Sequence, residues 1–417
     1  MRRNLARQLK AGGRSNRIPP RVLTEAFRLM PASQFLAQFG FTEDPFQSTN
    51  AGDEPLLEHY FVPPPYFASV LGDTSRPKSN VVLAPRGGGK TAQRVMIEKH
   101  SNSDPSFMCI TYDTFDLPEG FKPEDATWAY HIAQVNRLLL MAILVTLETS
   151  DASIDSLTEQ QKRFLKFGIE RYLGTLSAAD FQIAVDSLKN FGDRARDLWK
   201  QYGGVVAVIV TAAMHKFGLG DLRLPADMIK SLDESLRYQF KMFLGIITTL
   251  GFKSTYVLVD RVDELSVTSK NAEAVETFID ALITDLPTLE EQTIAFKFFL
   301  WDQIESSYLA RGARADRVPI FKLNWQIGEL SRMLSERLKA YSREAIKSIN
   351  DLLCRDIDID LHMLVCYFAT GSPRDMIRIC QAIVAEQTRM RVDDPCVTRI
   401  DMARSPSVQQ HALLRVI

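Results

Sequence analysis

The 417-residue sequence has no CxxC pair and no histidine-rich cluster; Cys109, Cys354, Cys366, Cys380 and Cys396 are scattered, as are its six histidines. It therefore offers no paired-cysteine metal or redox motif, and the thiols read as reduced and mostly buried in a cytoplasmic protein. A charge imbalance is also missing. With a net charge of −1, overall electrostatics predicts neither nucleic-acid nor membrane binding, and any such partner has to be argued from local patches. The basic amino terminus is followed by no apolar h-region, so no secretory signal is expected. The longest apolar runs, Leu138 to Leu147 and Val205 to Met214, fall short of the ~20 residues a membrane-spanning helix needs. They read as buried helices or strands, and no membrane span is expected. No repeat recurs at a fixed period.

What is present is enough for a large core plus a second module, since single cores stop growing near ~250–300 residues. One stretch organises the chain: Val81-Val-Leu-Ala-Pro-Arg-Gly-Gly-Gly-Lys90-Thr91 runs an apolar strand into a glycine-rich loop that ends in Lys-Thr. Such a loop turns backbone N–H groups inward, and the helix after it presents its positive end to phosphate. Pro85, Arg86, Gly87, Gly88, Gly89, Lys90, Thr91 and Ala92 are the expected nucleotide-binding residues. Glycine suits the loop because it takes φ > 0 and admits an anion close to the backbone. Lys90 is expected at the β and γ phosphates, and the Thr91 hydroxyl on Mg²⁺. The motif's first glycine is replaced by Ala84, a mild change because the closest approach to phosphate falls at Gly89.

A second motif complements it. Ser254-Thr-Tyr-Val-Leu-Val-Asp260-Arg-Val-Asp263-Glu264 reads as a buried parallel strand that delivers a carboxylate to the C-terminal edge of the sheet. Asp260 is expected to hold Mg²⁺ opposite Thr91. Glu264, ahead of Asp263, is the candidate for orienting or deprotonating an attacking water.

In chain order, residues 1–30 form a basic leader with Arg2, Arg3, Arg7, Lys10, Arg14, Arg17, Arg21 and Arg28 against Glu25. Two readings stand for it: a mobile solvated arm, or a contact to nucleic-acid phosphates. From Phe35 to Phe67 the chain is aromatic and proline-punctuated. The segment suits an adenine slot at the edge of the site, while core packing accounts for each aromatic taken singly. Phe107 to Asp113 reads as a strand; Trp128 to Leu147, Leu157 to Leu173 and Ala178 to Tyr202 show helical spacing. Asn271 to Leu286 reads as a helix, Thr293 to Leu300 and Val318 to Trp325 as strands. Alternating strands and helices predict a doubly wound, mainly parallel α/β sheet.

Three features close the chain. Asp302 or Gln303, after the strand ending at Leu300, stands where a polar group meets a γ-phosphate, and helix capping by Asp302 explains it equally. Arg311, Arg314 and Arg317 form either a solvated basic loop or a source of an arginine for a neighbouring subunit's nucleotide. Ser372, Pro373 and Asp375 compose an orthodox helix start, but Arg374 places a cation in the first turn, against the helix dipole. An ATP phosphate nearby would remove that conflict.

With these pieces placed, the chain resembles the AAA+/STAND branch of P-loop ATPases. The Asp-x-x-Asp-Glu ending at Glu264 is similar to the STAND form, Gly371-x-Pro373 to the GxP motif of STAND lids, and Arg374 to the sensor-2 arginine of initiator-type AAA+ proteins. Arg261 stands where most AAA+ proteins have glutamate. The run from Asp44-Pro-Phe46 through Tyr60-Phe-Val to the loop also resembles bacterial ATPases found in antiviral defence or mobile-element loci. The resemblance implies a P-loop NTPase three-layer core with a mainly parallel sheet, a large all-helical insertion and a small C-terminal helical lid. The expected boundaries are a leader at 1–30, core at 31–122 and 251–342, insertion at 123–250, lid at 343–395 and tail at 396–417. A winged helix follows the lid in STAND switches, and the tail here is too short for one.

The function this implies is a Mg²⁺-dependent, ATP-binding and ATP-hydrolysing regulatory switch, slow or partner-stimulated, with Glu264, Asp263, Lys90 and Arg374 in catalysis. It would act as a homo-oligomer or with a separate effector or sensor protein, in antiviral defence on the strength of the resemblance. Two alternatives stand beside it: a DNA-associated initiator or transposition-type ATPase using the leader or insertion, and a non-hydrolysing scaffold with ATP as a structural ligand.

Overall fold

The computed structural model describes residues 31–149, 153–174, 211, 213–233, 235–269, 271–355, 357–390 and 396–397. Five strands, β1 (Asn80–Ala84), β2 (Phe107–Tyr112), β3 (Ser254–Val259), β4 (Ile294–Trp301) and β5 (Ile320–Lys322), form one all-parallel sheet in the order β2-β3-β4-β1-β5. The first three are buried along their whole length, and β4 along all but its last residue. That is the environment which demands continuous apolar runs instead of alternation. The chain leaves β1 for the far edge, returns through β3 and β4, and places β5 on the other side of β1. The carboxyl end of β1 is thus the switch point where such sheets open a crevice.

Side chains alternate between two faces. Val82, Tyr256, Leu258 and Phe299 face Ile97 of α1 (Lys90–Ser103). Val81, Leu83, Val257, Val259 and Phe298 face α2 (Trp128–Thr149), α4 (Leu236–Thr249) and α5 (Ala272–Ile283). The helix α3 (Glu159–Gly168) begins at a Thr158–Gln161 capping box and runs into a π turn, Ile169–Leu173. These contacts narrow the expectation of a helical insertion. Leu139, Ile143, Phe243 and Ile247 are buried in one continuous core with the sheet, so α2 and α4 are its covering layer. Helical periodicity reports a buried stripe without reporting what it is buried against. The predicted helix over Ala178–Tyr202 and most of the Val205–Met214 run lie outside the described residues, as do the leader and residues 398–417.

Among the described residues, the segment Trp128–Glu148 of α2 is the one helix long and apolar enough to cross a membrane, and 78% of it is buried inside the protein. The run Leu138 to Leu147 is thus part of a longer apolar helix than its own length suggested. Other boundaries shift for local reasons. The helix predicted to reach Leu286 ends at Ile283, and Pro287 opens a further turn, Leu286–Leu289, capped by Asp285. β5 keeps three of the residues expected of Val318–Trp325, because the chain turns away after Lys322.

A second core lies beside the sheet. Phe35, Phe46, Leu57 and Tyr60 pack with Leu330, Leu334 and Leu338 of α6 (Ile327–Ser342), Val365 of α7 (Leu361–Phe368) and Ile379 and Ile383 of α8 (Pro373–Met390). Cys354 and Cys396 form a disulfide beside a bridge pairing Leu353 with Val397. This corrects the expectation of five reduced thiols, since spacing alone did not reveal that these segments meet. Cys109, Cys366 and Cys380 are buried and lie in no disulfide.

Candidate functional site

The strand β1 ends at Ala84 and the glycine loop turns at once. Gly88 N–H donates to the Pro85 carbonyl at 3.1 Å, and Gly87 and Gly89 adopt φ of 79° and 99°. At Gly87 a side chain is excluded by space as well. An added Cβ would lie 2.9 Å from the Arg374 Cβ and 3.1 Å from the Ser372 Oγ. The helix α1 then begins without a side-chain cap and without an acid in its first turn. Its leading N–H groups and positive end are left facing a cleft of about 530 Å³, an arrangement that favours an anion. Lys90 arches back over the loop, and its Nζ donates to the carbonyls of Ala84 at 3.1 Å and Pro85 at 3.3 Å. Burial holds its pKa below the usual lysine range, against the pull of Asp263, Asp260, Asp302 and Glu264.

β4 separates β1 from β3, yet α1 bridges the gap. The Thr91 hydroxyl donates to Asp260 Oδ2 at 3.0 Å, and Arg94 Nε donates to the same oxygen at 2.9 Å. Asp260 Oδ1 accepts the Arg261 N–H at 2.9 Å. Arg94 is fully buried and pairs with Glu98 one turn on, with Asp113 at 3.9 Å. One guanidinium thus stands among three buried carboxylates. Burial alone would lower the pKa of Arg94, but Glu98, Asp260 and Asp113 together raise it above its ordinary value. Sequence reasoning passed over Arg94, Glu98 and Asp113 in these roles.

The two further acids separate by environment. Asp263 is buried, its Oδ2 accepts Arg86 Nε at 3.1 Å, and its carbonyl accepts Arg86 Nη2 at 2.7 Å. Arg86 also lies over the Trp301 ring at 4.3 Å. Asp263 therefore anchors the loop to the segment after β3. The Glu264 side chain is 57% exposed, with Arg261 Nε at 3.8 Å. Arg261 holds a left-handed backbone, φ 62°, unusual for a non-glycine residue.

The far wall comes from the second core. Ser372 caps α8 by accepting the Asp375 N–H at 3.2 Å, and Arg374 N–H donates to the Gly87 carbonyl at 3.4 Å. The Arg374 side chain lines the cleft, and among the described residues it has no ion-pair partner. Residues 48–51, Glu54, Leu57 and Tyr60 line the other end, where Ala51, Leu57, Met333 and Ile377 supply apolar surface. The aromatic segment does reach the cleft, with Tyr60 its one lining aromatic, while Phe35 and Phe46 are core. The sequence reading missed what holds this end. Arg337, 1% exposed, donates to the Pro45 and Ser48 carbonyls, the Tyr60 hydroxyl and Glu54 Oε1, the last at 2.6 Å. Glu54 Oε2 in turn accepts the Tyr60 and Tyr341 hydroxyls at 2.9 and 2.7 Å.

The remaining candidates do not join the cleft. Arg311 pairs with Glu276 at 3.0 Å, Arg314 with Asp316 at 2.8 Å, and Arg317 with Glu290 at 2.5 Å. Asp302 opens a short turn after β4 and acts on Lys90 through its charge. Compared with known proteins, the chain matches no family model, no curated protein and no solved structure.

Proposed function

We propose that the cleft binds MgATP and that the protein is an ATP-hydrolysing regulatory switch of AAA+/STAND type. The observation that carries this reading is the meeting of the Thr91 hydroxyl and the Asp260 carboxylate, 3.0 Å apart, beside Lys90 at an uncapped helix amino terminus. The donor set suits Mg²⁺, which prefers hard oxygen ligands and keeps several waters. Thr91 and Asp260 would hold it, and when bound it would neutralise charge on the β and γ phosphates.

The chain's own groups have defined parts. Lys90 leaves the Ala84 and Pro85 carbonyls for phosphate oxygens. Arg374 reaches the same triphosphate from α8, so the cleft's two walls are drawn together by one ligand, which is the basis of a switch. Glu264 orients the attacking water, because Asp263 is held by Arg86. Residues 48–51 and Leu57 take the base, with the Arg337–Glu54 pair fixing their backbone.

Equilibrium titration with a fluorescent ATP analogue, with and without Mg²⁺, tests the reading. Mg²⁺-dependent binding is expected, lost by at least tenfold in Lys90→Ala, with turnover but not binding falling in Glu264→Gln. Binding that is indifferent to Lys90 would refute it. Binding without turnover in any setting, candidate partners included, would favour the scaffold reading over the switch.

A further inference from the structure

This inference rests on the nucleotide reading and deepens it. Trp325 follows β5 at the head of α6, and its indole Nε1–H donates to the Gly88 carbonyl at 2.7 Å. In a trans peptide the carbonyl of Gly88 and the N–H of Gly89 point to opposite sides. Gly88 and Gly89 line the main cleft, which Trp325 does not, and Trp325 lines a separate cavity of about 200 Å³ with Pro63, Tyr66 and Leu323. Drawing the carbonyl toward Trp325 therefore turns the Gly89 N–H away from the indole, at a residue that lines the cleft.

Trp325 also lies near the approach to α8. Its own carbonyl oxygen lies 3.6 Å from where a Cβ on Gly371 would stand, and Gly371 opens the turn into α8 with φ 82°. On its other side the loop meets Ser372 and Arg374 at Gly87. The loop is thus held between the indole and the start of α8, and Trp325 is bonded to the loop and packed against the core that contains Met376 and Ile377 of α8. We propose that Trp325 is a positioning residue: it orients the Gly88–Gly89 peptide for phosphate and links the state of the loop to α8.

The test uses the full chain and compares Trp325→Phe, which removes the N–H donor, with Trp325→His, which restores one at similar reach. Affinity for the fluorescent ATP analogue with Mg²⁺ is expected to fall about fivefold in the Phe variant, the worth of one neutral hydrogen bond, and to recover in the His variant. In the unmodified protein, the Trp325 indole resonance, one of four, is expected to shift when ATP is added, with Trp301→Phe assigning the neighbouring indole. Equal affinity of wild type and Trp325→Phe, equal loss in both variants, or an indole resonance that ignores ATP would each overturn the proposal while leaving the nucleotide reading intact. A wild-type protein that binds no ATP would overturn both.

Discussion

Lowering the pH should destabilise this fold through one histidine. His131 is completely buried on α2, where its Nδ1 accepts the Tyr112 hydroxyl of β2 at 2.9 Å and its Nε2–H donates to the Phe278 carbonyl of α5 at 2.8 Å. Both nitrogens are satisfied by the neutral ring, and burial pushes its pKa down from 6.5 to about 4. Above pH ~6.5 the ring is neutral in both folded and unfolded chains and adds no pH dependence. As pH falls below that value, the unfolded ring takes up a proton that the folded one refuses, so stability declines until the folded pKa is passed near pH 4. At ~1.36 kcal/mol per unit, the loss is about 3 kcal/mol in full and about 2 kcal/mol by pH 5. Urea unfolding of wild type and His131→Gln between pH 7.5 and 4.5 isolates this residue from the carboxylates common to both. The advantage of the wild type should shrink by about 2 kcal/mol from pH 7.5 to pH 5, and the imidazole resonance missing from the variant should titrate well below the usual range. A stability difference that does not change with pH, or a ring titrating near 6.5, would refute the reasoning.

Arg94→Met should cost about 3–5 kcal/mol in urea unfolding, because the buried Glu98 and Asp260 would lose the guanidinium they share. Gly87→Ala should cost about 1–3 kcal/mol and speed hydrogen exchange in the first turn of α8, since its Cβ would meet Arg374 at 2.9 Å in a left-handed backbone. Unchanged exchange there would mean that the loop and α8 are not in register. Cys396→Ser removes a cross-link spanning 42 residues, worth about 4 kcal/mol by loop entropy. A reductant should lower the unfolding midpoint of the wild type and leave that of the variant alone.

What the sequence disclosed, it disclosed locally. The strand into the loop, the Lys90-Thr91 pair, the acid after β3 and the Ser372-Pro373 helix start each lie within about a dozen residues, where period and cap chemistry suffice. What it withheld depends on long closures. Arg94 meets Asp260 across 166 residues and Arg337 meets Glu54 across 283, and nothing about an arginine in an amphipathic helix says that it will be buried. The sequence ranks Glu264 ahead of Asp263, but what holds Asp263 is out of its reach for the same reason, since the Arg86 that engages it lies 177 residues away. The packing of α2 was not legible because its partner surface is assembled from β2, α4 and α5, which are far apart in the chain.

The second core has a consequence for how the site comes into being. Thr42 donates to the Tyr341 carbonyl, 299 residues on, and the wall that faces the glycine loop exists only once such pairs have met. On the ribosome, β1 and its loop emerge before α6 and α8, which supply Met333, Arg337, Arg374 and Ile377 to the opposite wall. Long closures of this kind are slow to form. A nascent chain therefore exposes half a cleft until α8 has been made, and the two walls can close on each other only then.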